Sequence, residues 1–349
     1  MTNLIIGLLG ALAATNQPAT VSNLAAQTTG IAITIPDPND PVEKEYQKLL
    51  ADDDAAQAEV DQWIRDNRTF AASGAGASME EMNQRIETRF EPIRKAYRDF
   101  LERHPDHARA RLAYGSFLGD KGDEEGAQAQ WEKARELDPK NPAAWNNLAN
   151  FYGHTGEPKK AFGYYAKAIE LEPTEPVYYH NFGTTVYLFR RDAMEYYSIT
   201  EQQVFDKALD LYSKAIKLDP GNFPLASDVA QTYYAIRPLR TNDALVAWTN
   251  TLKIAHDEIE REGVYVHLAR IKMVVGRFDE ARQQLNAVTN EMYADLKRVV
   301  TRSLNDRESK AKATNAPPAT AESTATAPAP NTPATNAPTA APGSAGDKK

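Results

Sequence analysis

What most constrains this chain is a pattern of large and small residues that returns after 34 positions. Residues 142–173, PAAWNNLANFYGHTGEPKKAFGYYAKAIELEP, read as two short amphipathic helices joined by a Gly turn. Trp145, Leu148, Phe151 and Tyr152 recur at helical spacing on the first, and Ala161, Tyr165, Ala168, Ile169 and Leu171 on the second. Neither helix can bury its stripe alone, so each needs a partner. Gly156 suits the turn because it reaches backbone conformations closed to other residues, and Pro173 ends the second helix because it cannot continue one. Upstream, Gly115, Gly122, Ala127, Trp131, Ala134, Leu137 and Pro139 stand at the offsets of Ala149, Gly156, Ala161, Tyr165, Ala168, Leu171 and Pro173.

On these residues the chain resembles the tetratricopeptide-repeat (TPR) family, which has a period of about 34 residues and the same order of large, small, aromatic, Ala and Pro positions. The resemblance implies an all-α fold, a TPR helix-turn-helix solenoid with N- and C-terminal capping helices and disordered tails. The physical content agrees: small side chains at Ala149, Ala161 and Ala168 let the paired helices approach, and the aromatic fills the gap beside them. Because such units pack only on their neighbours, 349 residues need not divide into compact domains.

The register extends along the chain, and residues 106–289 hold about five repeats. The third begins near Pro176 and the fourth near Phe223, while the fifth uses Tyr265, Leu268, Ala269, Gly276, Ala281, Leu285 and Val288. Pro173 and Pro220 lie 47 residues apart, which places an insertion near 190–203, with Thr200 and Gln203 as a capping box for the helix after it. Pro238 is expected to end the first helix of the fourth repeat and Asn242 to cap the second. Residues 42–105 read as N-terminal capping helices, the first running to about Asn67, and residues 290–310 as a C-terminal capping helix.

The ends differ in composition. Residues 1–20 contain the apolar run LIIGLLGALAA and Ala11-Leu12-Ala13, which together read as a signal peptide, although Met1-Thr2-Asn3 carries no positive charge. The run is too short for a stable membrane span. Residues 21–41 read as a linker, and the Ala/Pro/Thr-rich tail 311–349 cannot bury enough apolar surface to offset its ordering entropy. Export to the periplasm or the extracellular space is the expectation, with a cytoplasmic location as the alternative. A net charge of −8 without a Lys/Arg run argues against a nucleic-acid partner. The absence of cysteine excludes disulfides, thiolate nucleophiles and Cys-based metal sites.

Chemistry is expected on the first helices, which stacked TPR units turn toward a concave wall. Asn147 and Asn181 share one offset in the second and third repeats, and Asp228 stands there in the fourth. The position resembles the asparagine ladder of the TPR superhelices in protein O-GlcNAc transferases, which implies amides that hydrogen-bond an extended peptide backbone. Asn150 and His180 lie on the same helices and complete the candidate peptide-binding set. The other TPR mode, a Lys/Arg clamp for a terminal carboxylate, is missing, since its offsets hold Leu112, Ser116, Val177 and His180. Tyr196 and Tyr197, with Arg190 and Arg191, form a candidate partner patch in the insertion, the alternative being that the tyrosines simply pack the insertion down. The six histidines show no metal-ligand spacing, and no nucleophile, P-loop or dinucleotide motif is present, so no metal, cofactor or enzymatic activity is expected. The chain therefore reads as a non-enzymatic scaffold for an extended peptide or protein segment, with a structural component of a bacterial-type envelope or secretion assembly as the alternative.

Overall fold

The computed structural model describes residues 39–72 and 76–315. The signal-peptide reading of 1–20, most of the linker and nearly all of the tail lie outside them. The described residues form fourteen α-helices and two short 3-10 turns, and no strand occurs among them.

Local chemistry sets the helix ends. The Asn141 side chain accepts from the Ala143 N–H and Pro142 begins the next helix, where its missing N–H costs nothing. The Asp123 carboxylate likewise accepts from the Gly126 N–H. Gly122, Gly156 and Gly276 occupy equivalent turns at φ of +79°, +89° and +77°, the left-handed region that favours glycine.

Helices α1 (Pro41–Ala72) and α2 (Met79–Arg103) form a leading hairpin. Pairs α3 (Ala108–Asp120) with α4 (Glu124–Leu137) and α5 (Pro142–His154) with α6 (Pro158–Leu171) follow. The third pair is α7 (Pro176–Leu188) with α9 (Glu201–Leu218), separated by the inserted α8 (Arg190–Tyr197). Then come α10 (Phe223–Thr232) with α11 (Thr241–Lys253), α12 (Glu258–Val274) with α13 (Phe278–Asn286), and a closing α14 (Ala294–Asn315). Each helix packs on its own partner and on the adjoining pair, and four side-chain clusters are strung along the file in place of one core.

The small-against-large lock is literal. A Cβ on Gly183 would sit 2.8 Å from Tyr212, and one on Gly115 would sit 2.5 Å from Trp131, so only glycine admits those rings. Ala149 and Tyr165 fill the same roles in the second repeat and are 0% and 1% exposed. Full burial of each such large apolar side chain contributes about 1.5–3 kcal/mol.

The insertion is a helix laid over α6, the second helix of the preceding repeat. Tyr197 stacks on Phe162 at 5.7 Å, Tyr196 meets the same ring edge-on at 5.4 Å, and Lys159 pairs with Glu195 at 2.7 Å. Ser198 then takes a left-handed conformation, and Thr200 and Gln203 make both bonds of the capping box that starts α9.

Four local readings change. Helix α10 ends at Thr232 and passes into a 3-10 turn at Tyr233–Ala235, so Pro238 lies beyond the end of that helix instead of ending it. Helix α1 continues past Asn67 to Ala72, because Asn67 turns its amide to the backbone of Ala77 and closes the hairpin instead of ending the helix. Helix α11 starts at Thr241, so Asn242 lies inside it; Arg240 is the cap residue, its carbonyl accepting from the Ala244 N–H. Helix α14 runs to Asn315, five residues into the expected tail: Lys312 pairs with Glu308 across one turn at 2.7 Å, and Pro317-Pro318 come only afterwards.

Candidate functional site

The first helices of successive pairs, α3, α5, α7, α10 and α12, carry the polar positions singled out above. Asn146 and Asn147 of α5 are 1% and 4% exposed. Asn147 Nδ2 donates to Ser116 Oγ of α3 at 3.3 Å, and Asn146 Nδ2 donates to Asn147 Oδ1 at 3.3 Å. Asn181 Nδ2 of α7 then donates to Asn146 Oδ1 at 3.2 Å. One hydrogen-bonded strip thus crosses three repeats. Amides suit it because each both donates and accepts, so the strip passes from helix to helix without a reversal of polarity.

The members differ in what they leave free. Asn147 is closed off by its neighbours. Asn150 Oδ1 accepts from the Tyr165 hydroxyl at 2.5 Å, which in turn accepts from Thr185 Oγ1 at 3.1 Å. Asn181 is half-buried and spends one amide hydrogen on Asn146; its other hydrogen and its Oδ1 have no partner among the described residues. His180 Nε2 lies 3.7 Å from Asp228 Oδ2, beyond hydrogen-bond range, and burial holds the imidazole pKa below its ordinary value, with Asp228 opposing the shift. The sequence pattern pointed to Asn147 and Asn181; Ser116 joins them only in three dimensions.

The partner patch divides. Tyr196 and Tyr197 share Phe162, which leaves Tyr196 47% exposed and Tyr197 half-buried beneath Lys207, whose Nζ is 4.2 Å from its ring. Arg190 turns elsewhere: its Nη1 donates to the Tyr187 carbonyl at 3.0 Å and its Nε lies 3.4 Å from Glu201. Arg191 is exposed. Arg237, Arg240 and Arg270 approach the same edge from later in the chain. Their only local signal is the Arg-Pro-Leu-Arg run at 237–240, because the cluster is assembled across some eighty positions.

The remaining chemistry is structural. Asp53, 6% exposed, accepts from the Tyr97 hydroxyl at 2.7 Å and from Gln57 at 3.2 Å, and burial raises its pKa. Among the described residues no group of three His, Cys, Asp or Glu side chains could hold a metal ion, and no helix is long and apolar enough to cross a membrane.

Residues 131–162 match the family model of the tetratricopeptide repeat. No curated protein matches the sequence. Solved structures similar to this chain include three of repeat or pilus-related proteins. PilW, described as a widely conserved type IV pilus biogenesis factor, is 16% identical over 63% of this chain and 94% of its own, with a TM-score of 0.48. YrrB, described as a TPR protein with an unusual peptide-binding site, is 14% identical over 60% of this chain and 99% of its own, with a TM-score of 0.45. Pseudomonas aeruginosa pilF is 17% identical over 59% of this chain and 89% of its own, with a TM-score of 0.43. The matched segment covers the end of α4, all of α5 and the start of α6; the pair before it repeats its Gly turn, and the pairs on both sides repeat its small-against-aromatic lock. Residues 131–162 thus carry a tetratricopeptide repeat, set within an all-α file of helix pairs.

Proposed function

We propose that this chain is a non-enzymatic scaffold that holds an extended peptide or protein segment along the wall formed by α3, α5 and α7. The observation that carries the reading is the strip Ser116–Asn147–Asn146–Asn181, which fixes the orientation of half-buried Asn181 while leaving it a free donor and a free acceptor. A peptide backbone offers the complementary pair at every residue. Asn147 serves as a positioning residue, Asn150, His180 and Asp228 line the approach, and Tyr196, Tyr197, Arg190 and Arg191 add a second contact surface outside the wall. The domain limits follow the same reading: capping helices over 42–105 and from 290 to the end of α14 enclose a repeat array at 106–289. The apolar run and Ala11-Leu12-Ala13 support export, which sequencing the amino terminus of the mature protein checks.

The test begins with peptides enriched on the intact chain from a random displayed library and titrated by fluorescence anisotropy. Asn181→Ala removes one or two net hydrogen bonds to the peptide, so affinity measured below the melting transition falls about tenfold; it also leaves buried Asn146 Oδ1 without its donor, so the melting temperature falls as well. A library that yields no saturable binder, or binders indifferent to Asn181→Ala, would sink the reading.

A further inference from the structure

The chain is acidic, with a net charge of −8, yet one edge of repeats three to five gathers guanidinium groups. A chain of contacts joins them. Arg190 lies beside Glu201, and the adjacent Gln202 donates through Nε2 to the Arg237 carbonyl at 2.8 Å. Gln202 Oε1 accepts from Arg240 Nη2 at 3.1 Å, and Arg240 Nη1 reaches Asp206 at 2.6 Å. Arg237 Nη1 donates to the Tyr234 and Ile236 carbonyls at 2.6 and 3.0 Å. On the far side of Tyr234, the Arg270 guanidinium lies 4.6 Å from the ring centroid.

Four arginines therefore share two carboxylates, Glu201 and Asp206, and Arg237 and Arg270 have no carboxylate partner among the described residues. Their geometry is already held. Arg237 is fixed by two carbonyls and Arg270 by a ring face, so little side-chain entropy remains to be lost when a ligand arrives. A guanidinium presents a planar fork that matches a carboxylate in two-point contact. Exposed Arg191 stands next in sequence to Arg190 and extends the same charge.

We propose that this edge docks an acidic, extended polypeptide segment through Arg237 and Arg270, with Arg190 and Arg240 completing the positive field. The surface is separate from the amide strip and does not depend on it. A polypeptide fits better than a nucleic acid, because Glu201 and Asp206 interrupt the arginines and would oppose a continuous phosphate chain, whereas spaced glutamate side chains can avoid them.

The probe is a fluorescein-labelled oligoglutamate peptide titrated against the intact chain at low ionic strength, about 50 mM, where exposed charges are weakly screened. Binding is expected to saturate, to weaken as salt rises, and to fall at least tenfold in the double variant Arg237→Ser/Arg270→Ser. Arg298→Ser/Arg302→Ser, which removes the same charge from α14, is expected to leave it unchanged. Reversing the charge with Arg237→Glu/Arg270→Glu should transfer preference to oligolysine, a gain of binding that an unfolded variant does not produce with saturation. The proposal is overturned if oligoglutamate fails to saturate, if both serine doubles lose affinity equally, or if oligothymidylate binds more tightly than oligoglutamate. Asn181→Ala is expected to leave oligoglutamate binding intact, so failure here and failure of the wall reading are separate results.

Discussion

The second and fourth repeats start alike and then part. Each first helix opens on an asparagine whose side chain caps it, Asn141 before α5 and Asn222 before α10, with a proline in the first turn. Each second helix buries one aromatic almost completely, Tyr165 in α6 and Trp248 in α11, both 1% exposed. Between these fixed points the second repeat uses the shortest route, a turn at Gly156 followed by Pro158. The fourth ends α10 after ten residues, passes through a 3-10 turn, and crosses residues 236–240, where the Arg237-Pro238 peptide is cis. Backbone carbonyls there are satisfied by side chains: Arg237 caps those of Tyr234 and Ile236, and Gln202 caps that of Arg237. The cap and the buried aromatic define a helix pair, and the turn is replaceable where long polar side chains take over its hydrogen bonds.

The same comparison predicts how the array breaks. Phe162 is 0% exposed and belongs to the cluster that joins repeats two and three and reaches Leu225 and Val229 of α10, whereas Trp248 belongs to a separate cluster with Val264, Leu268 and Ile271. Phe162→Ala and Trp248→Ala should each cost about 3–5 kcal/mol. They differ in form. Loss of Trp248 is expected to split thermal unfolding into two steps, repeats four and five first, because neighbouring units couple only through their interfaces. Phe162→Ala should also free α8, whose tyrosines rest on that ring. Calorimetry with circular dichroism separates the outcomes; a single cooperative transition for Trp248→Ala would refute the division into clusters.

A subtler break compares two glycines. Gly183 faces Tyr212 so closely that Gly183→Ala is overpacked and should cost about 1–3 kcal/mol. Gly163 lies exposed in α6, and a Cβ there would meet only the Tyr196 hydroxyl at 3.9 Å. Gly163→Ala should therefore stabilise by about 0.4–1 kcal/mol, since alanine restricts the unfolded chain. Opposite signs in denaturant midpoints are the expected result, and equal signs would show that the lock is not rigid.

The contact between the fourth and fifth repeats also carries a pH dependence. His267 stacks flat on Trp248 at 4.0 Å and meets the Tyr234 hydroxyl through Nδ1 at 3.1 Å. Burial, aided by Arg270, pushes its pKa down to about 4 from the ordinary 6.5. The unfolded chain thus takes up the proton first, and stability drains away as pH falls from about 6.5 toward 4. His267→Phe keeps a ring against Trp248 and should flatten that slope.

These contrasts explain what could be read from the chain. The Gly115, Gly183 and Ala149 positions, Gly156 and Pro173 each make a demand satisfied within one helix pair, so linear spacing reveals them. Thr200 and Gln203 are legible for the same reason. The Asn67 link to Ala77, the Ser116 link to Asn147 and the arginine edge depend on which helices lie side by side. Arg190 and Arg270 are eighty residues apart, and no periodicity marks their convergence. Composition gave the acidic sum and concealed its uneven distribution.

The smallest effect tests the caps of the two irregular second helices. Thr200 makes a reciprocal box with Gln203, so Thr200→Ala should cost about 0.5–2 kcal/mol and fray the start of α9. At the equivalent place before α11, Arg240 makes no side-chain cap bond and instead reaches Asp206 and Gln202. Arg240→Asn would supply the missing cap, worth about 1 kcal/mol, while removing a partly exposed ion pair worth about 0.2–1 kcal/mol and one hydrogen bond worth about 0.5–1.5 kcal/mol. The cap offsets part of the loss, and a net change between about zero and a loss of about 1.5 kcal/mol is expected in urea titrations. A much larger loss would mean that Arg240 holds the 236–240 loop in place, and that in the fourth repeat long-range contacts replace the local cap as well as the turn.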